Sequence, residues 1–225
     1  MIFDQYDRIV VVNLRHRTDR RKRMKAELAK IGLKDDERVS FFPAIQTVDK
    51  GMFLRPGSHG CFLSHRSIIE DAAREGQSVA ILQDDCQFLP AIVDFPATEC
   101  DVFYGGYEAS DPDDLHGSNI IGAHFMGFST EAALKASHYL HRYLGCPNFE
   151  GDPQAVAHCR YDSKIRPPID GAFVWFRRAH PELTTEFAML SKQRSSRSDV
   201  ADRKWFDRMH IVRDAARIWR DIRNR

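Results

Sequence analysis

The chain has 225 residues, 43% hydrophobic and 29% charged, with 33 Lys and Arg against 32 Asp and Glu for a formal net charge of +1. That length suits one α/β core with a small appendage, and the even charge balance argues against nucleic acid as an obligatory partner, because no basic excess drives counterion release. Nothing approaches the run of about 18 apolar residues that spans a membrane, and Met1–Asp7 lacks the basic start and apolar core of a secretory signal. Five cysteines without a Cys-x-x-Cys pair read as free thiols in a reducing compartment, so the cytoplasm is expected.

Arg8 to Leu14 is a β-branched run of strand length and reads as the first central strand. It empties into the basic, polar stretch Arg15 to Arg21, from which a helix starts near Thr18 or Asp19. Met24, Leu28 and Ile31 follow at helical spacing, and Gly32 stops the helix. Val39 to Ala44 reads as a second strand. The result is a β-α-β unit whose first loop is placed to hold a nucleotide or its phosphates; a solvated helix start is the plainer reading of the same arginines.

Asp49 to Ser58, with Gly51, Pro56 and Gly57, reads as a surface loop. Next comes a helix whose inward face carries Cys61, His65, Ile68 and Ala72. His65 reads two ways, as a hydrogen-bonded core histidine or as a ligand or base. Val79 to Leu82 is four apolar residues in a row, a strand buried on both faces. It breaks into Gln83, Asp84 and Asp85, which puts two carboxylates at a strand's C-terminal end, the edge where ligands bind in open α/β sheets. Adjacent carboxylates repel unless a cation or solvent offsets them. All-oxygen ligands favour Mg²⁺ or Mn²⁺ bridging to phosphate.

These motifs, in this order, resemble glycosyltransferase family 25, the lipooligosaccharide galactosyltransferases and their collagen-modifying relatives. The resemblance is carried by Asn13-Leu14 with Arg20, by Phe42-Pro43-Ala44, and by Gly60-Cys61-Phe62-Leu63-Ser64-His65. It continues through Ile81 to Cys86, Gly122 to Ser129 and Pro168-Ile169-Asp170. One departure stands out: Gln83 occupies the position where the family carries Glu. The resemblance implies a GT-A-like, Rossmann-type nucleotide-sugar-binding α/β fold over residues 1–192, with a central mostly parallel sheet. It further implies inverting transfer of a hexose, galactose from UDP-galactose, to a glycan or lipooligosaccharide hydroxyl.

On that reading Asp84 and Asp85 hold Mn²⁺ or Mg²⁺ and the donor diphosphate. Asn13, Leu14, Arg17, Arg20, Ala44, Ser64 and His65 form the nucleotide cradle. Asp170 is the candidate base, stiffened by Pro167-Pro168 with room left by Gly171, and Asp152 is the fallback. Asp170 also reads as the N-cap of a helix through Ala172 to Trp175. A nucleotide-sugar-binding module without turnover is the alternative that Gln83 raises. A nucleotidyltransferase would want a glycine-rich phosphate loop, and Arg15 to Arg21 contains no glycine.

Asp101 to Tyr107 reads as a strand ending in a glycine turn, Asp111 to Gly117 as an acidic loop, and Ser129 or Thr130 as the cap of a helix running to Gly145. His138 and His141 on that helix read as surface histidines. Cys146 to Pro168 is turn-rich, an acceptor-side region with a short helix near Ala155. Residues 193–225 read as a polar linker and a basic amphipathic helix. Trp205, Met209, Val212, Ala216 and Trp219 line one face of that helix, suited to docking on protein or to lying peripherally on the inner face of an anionic membrane.

Overall fold

The computed structural model describes residues 1–145 and 165–194. Expectations for Asp152, the helix near Ala155 and the amphipathic C-terminal helix fall outside the described residues.

The β-branched run after Tyr6 forms β1 (Arg8–Asn13), and the chain then enters α1 (Thr18–Lys30) at the expected residue. Gly32 follows with φ +78°, the left-handed geometry that glycine adopts without a Cβ penalty. β2 (Val39–Pro43) returns parallel to β1, with Ile9 opposite Val39, and this completes the β-α-β unit.

α2 (Pro56–Glu75) begins four residues earlier than Gly60 and absorbs Pro56, Gly57 and Ser58, which were expected in the loop. Pro56 sits at the first helical position, where a missing N–H costs nothing and its fixed φ suits the helix. Gly76 closes α2 at φ +64°.

β3 (Val79–Gln83) lies parallel to β1 on the side away from β2, with its first four residues fully buried. β4 (Cys86–Phe88) follows the acid pair and pairs antiparallel with β10 (Ser191–Gln193). β5 (Val102–Tyr104) is the expected strand before Gly105-Gly106. β6 (Glu108–Ala109) and β7 (Ile120–Ile121) form a short hairpin bracketing the acidic loop. β8 (Phe125–Phe128) runs antiparallel between β3 and β5. α3 (Thr130–Gly145) is capped by Ser129, whose Oγ accepts from the Ala132 N–H at 3.1 Å. His138 and His141 are exposed on it, as expected. α4 (Ile169–Ala179) has Pro168 at its N-cap, so Asp170 is the second helical residue rather than the cap. β9 (Thr185–Phe187) completes the sheet beside β5.

The main sheet is therefore six-stranded, in the order β2-β1-β3-β8-β5-β9, with β8 alone antiparallel. Alternation along β1 divides the core. Val10 and Val12 pack with α2, α3 and α4, through Phe62, Ile68, Leu140, Tyr143 and Phe173. Ile9 and Val11 pack with Ile2, Phe3, Met24 and Leu28 on the α1 side. The architecture is the mixed α/β fold with a mostly parallel central sheet that the sequence predicts.

Candidate functional site

The chain leaves β1 toward β2 on one side and returns as β3 on the other, so the topological switch point lies between the C-terminal ends of β1 and β3. Asn13, the last residue of β1, meets Asp84 there: its Nδ2 donates to Asp84 Oδ2 at 2.7 Å and to the Arg17 carbonyl at 3.2 Å. Arg20, in the first turn of α1, donates through Nη1 to Asp84 Oδ1 at 2.9 Å and lies 3.5 Å from Asp85 Oδ2. Asn13 is 3% exposed and Asp84 7% exposed, so this is a buried charged network with both Asp84 oxygens engaged. The Asp84 main chain is held as well, its N–H donating to the Val12 carbonyl at 3.1 Å.

Asp85 is held differently. Its Oδ2 accepts from Gln193 Nε2 at 3.2 Å, while its Oδ1 is buried with no hydrogen-bond partner among the described residues. Burial raises its pKa most; Arg20 opposes, Asp84 adds and Gln193 opposes. A buried, unsatisfied carboxylate oxygen is costly, and a cation is the natural complement. Among the described residues no group of three His, Cys, Asp or Glu side chains is placed to hold a metal. One available carboxylate oxygen suits Mg²⁺ or Mn²⁺ that takes its other ligands from phosphate and water, not an all-protein cage.

Gln83 turns its amide toward the thiol of Cys61, 3.8 Å away. Burial pushes the Cys61 thiol well above its ordinary value, and Asp170 and Asp85 both lie close enough to raise it further. Cys61 thus lies near both Asp85, just past the end of β3, and Asp170 on α4. Asp170 accepts from the backbone N–H groups of Gly122 and Ala123, yet burial outweighs them and raises its pKa to about 6. Gly122 has φ +131°, and a Cβ there would lie 2.7 Å from the Gly106 carbonyl oxygen, so only glycine fits that backbone. The room expected beside Gly171 is already filled: a Cβ on it would lie 2.4 Å from Pro167 Cβ.

The remaining expected cradle residues divide between cleft and scaffold. Ala44 donates its N–H to the Asn13 carbonyl at 2.9 Å and keeps the β2 end beside the switch point, where Leu14 is partly buried. Arg17 grips Asp19, Nε to Oδ1 at 3.0 Å. Ser64 is fully buried and local in purpose: its Oγ donates to the Gly60 carbonyl at 2.8 Å and accepts from the Ile45 N–H at 2.9 Å. His65 is also fully buried, its Nδ1 2.9 Å from the Cys61 carbonyl, and burial lowers its pKa so the ring is neutral.

Three buried polar residues escaped the sequence reading. Glu27 is a fully buried carboxylate on α1; its place in the series Arg20, Met24, Glu27, Ile31 was the available signal. His124 is buried between Gly106 and Gly122, and its carbonyl accepts from the Gln83 N–H at 2.9 Å. Arg177 is buried on α4 and donates to the carbonyls of Leu115, His116 and Ser118, fixing the acidic loop to the helix that carries Asp170.

No protein-family model matches the chain. The chain is similar to procollagen galactosyltransferase 1-B of Xenopus laevis, 29% identical over 101 residues, a match covering 37% of this chain and 16% of that protein's length. Among solved structures, a glycosyltransferase involved in the glycosylation of the major capsid of PBCV-1 aligns over 68% of this chain and 75% of its own, with 11% identity and a TM-score of 0.40. The CTP:phosphocholine cytidylyltransferase LicC of Streptococcus pneumoniae aligns over 85% and 95%, with 10% identity and a TM-score of 0.41.

Proposed function

We infer that this chain is a glycosyltransferase of the GT-A type that moves a hexose, galactose from UDP-galactose, to a glycan hydroxyl with inversion. The observation that carries the reading is the cluster of Asn13, Arg20, Asp84 and Asp85 at the switch point, with Asp85 Oδ1 left without a partner. The similarity to a galactosyltransferase supports the same chemistry. Family 25 membership, a lipooligosaccharide acceptor and action at the inner face of the membrane remain parts of this proposal; among the described residues no helix is long and apolar enough to cross a membrane.

The residues divide the work. Asn13 and Arg20 fix Asp84, and Asp84 with Arg20 fixes the backbone and charge around Asp85. Asp85 Oδ1 would hold Mn²⁺ or Mg²⁺, and the ion would supply positive charge to offset the negative charge developing on the departing diphosphate. Asp170 takes the proton of the acceptor hydroxyl as its oxygen bonds to the anomeric carbon, while the bond from that carbon to the diphosphate oxygen breaks. A carboxyl raised to about 6 is a stronger base than an ordinary aspartate and is still ionised at pH 7.

Incubating the protein with a panel of nucleotide sugars and glycan acceptors, with and without Mn²⁺, tests the reading. Release of UDP coupled to a glycosylated product supports it. Nucleotide-sugar binding without turnover, with turnover appearing in Gln83→Glu, supports the binding-module alternative, because the amide at Gln83 supplies no charge.

A further inference from the structure

The buried stripe of α1 is unusual for a helix packed on a sheet. Arg20, Met24, Glu27 and Leu28 turn inward, and two of the four are charged. Arg20 meets the acid pair directly. Glu27 has no place in the cleft, yet its contacts with Phe88 and Arg194 lead to Asp85.

Glu27 Oε2 accepts from the Phe88 N–H on β4 at 3.2 Å. Its Oε1 pairs with the Arg194 guanidinium and with Lys30 Nζ, the latter at 2.7 Å. Arg194 directly follows β10, and its own N–H donates to the Asp85 carbonyl at 2.9 Å. The residue before it, Gln193, donates to Asp85 Oδ2. One carboxylate thus ties both strands of the β4–β10 ribbon to α1, and that ribbon grips Asp85 by its backbone and by one side-chain oxygen.

Burying an ion pair gains little stability over apolar side chains of similar volume. What the pair does is hold Arg194, whose N–H binds the Asp85 carbonyl, next to Gln193, which occupies Asp85 Oδ2. We propose that Glu27, through Arg194, is a positioning residue for Asp85 and sets the divalent-cation affinity of the site. This rests on the transferase reading, in which Asp85 Oδ1 is the cation ligand.

The test uses the full chain with Glu27→Gln, Arg194→Met, the two combined, and Arg194→Lys. Mn²⁺ affinity in the presence of UDP is read by paramagnetic resonance, beside thermal unfolding and amide exchange at Arg194. Each of the first two variants is expected to weaken Mn²⁺ by about tenfold, as loss of an outer-shell partner does. The combined variant is expected to be no weaker than the worse single one, because the residues act as a unit. Arg194→Lys stays near the parent, and the Arg194 amide exchanges faster in Glu27→Gln. Mn²⁺ affinity within twofold of the parent, with only the unfolding temperature lowered, overturns the proposal and leaves the transferase reading intact. A parent that binds neither Mn²⁺ nor UDP refutes the transferase reading and the cation role together. Unchanged Arg194 amide protection overturns the positioning role whatever binds.

Discussion

Replacing Arg20 with Met removes the one cation among the described residues that faces both acids of the site. Arg20 Nη1 lies 2.9 Å from Asp84 Oδ1 and 3.5 Å from Asp85 Oδ2, and the three side chains are 9%, 7% and 12% exposed. Asn13 still donates to Asp84 and Gln193 to Asp85, so hydrogen bonding is reduced but not abolished. Breaking a buried pair by removing one partner costs about 3–5 kcal/mol, and the Met stem recovers part of the packing, so a loss of about 3 kcal/mol at pH 7 is expected.

The pH dependence has a definite sign. Asp85 already has a raised pKa, and losing Arg20, which opposes that rise, lifts it further. A carboxyl whose folded pKa exceeds its unfolded value contributes stability that is fully present below the unfolded pKa and lost as pH rises through the folded one. The deficit of Arg20→Met should therefore shrink as pH falls from 7 toward about 4. Urea denaturation followed by circular dichroism at several pH values measures it, and adding Asp84→Asn and Asp85→Asn should recover most of the loss at pH 7. A deficit below about 1 kcal/mol, the range of an exposed pair, or one that does not vary with pH, refutes the electrostatic reasoning.

Asp170→Asn should abolish transfer while UDP-sugar affinity stays within a few fold, and parent turnover should climb through pH of about 6 as the carboxyl ionises; near-normal turnover in the variant removes Asp170 from the role. In the same variant stability should cross over. Because the folded pKa is raised, the carboxylate weakens the parent above pH of about 6, so Asp170→Asn should be at least as stable as the parent at pH 8 and no more stable at pH 4; the residue's partial exposure limits the gain to about 1 kcal/mol. Gly122→Ala forces a Cβ onto a φ of +131° within 2.7 Å of a carbonyl oxygen, and should cost about 1–3 kcal/mol in urea and depress turnover by shifting Asp170; unaltered stability would contradict that geometry. Gln83→Glu places a third carboxylate beside Cys61, near Asp85 and Asp170. It should tighten Mn²⁺ binding and lower the unfolding temperature at pH 7, and calorimetry reads both.

The central strands were legible because β1 and β3 are buried on both faces and so are written as uninterrupted β-branched and aliphatic runs. The start of α2 was not. Pro56-Gly57-Ser58 carries the residues of a turn, and only the tertiary setting makes Pro56 a helix start. β4 and β10 are three residues each and separated by about a hundred positions, too short for periodicity to register. At the site, the neighbouring acids and Asn13 could be read as belonging together, since each ends a predicted strand. The division of labour between the acids could not. Arg20 and Asn13 occupy both oxygens of Asp84, and Gln193 reaches Asp85 from 108 residues away. Long-range contacts of that kind leave no local pattern.

The most direct test of the cleft is calorimetric titration of UDP-galactose into the parent and into Asp85→Asn, each with and without Mn²⁺. Mn²⁺-enhanced binding in the parent that loses its enhancement, while keeping the metal-free component, in Asp85→Asn is the predicted result. Equal binding by both proteins, or none by the parent under any condition, contradicts a diphosphate-bridged cation at the end of β3.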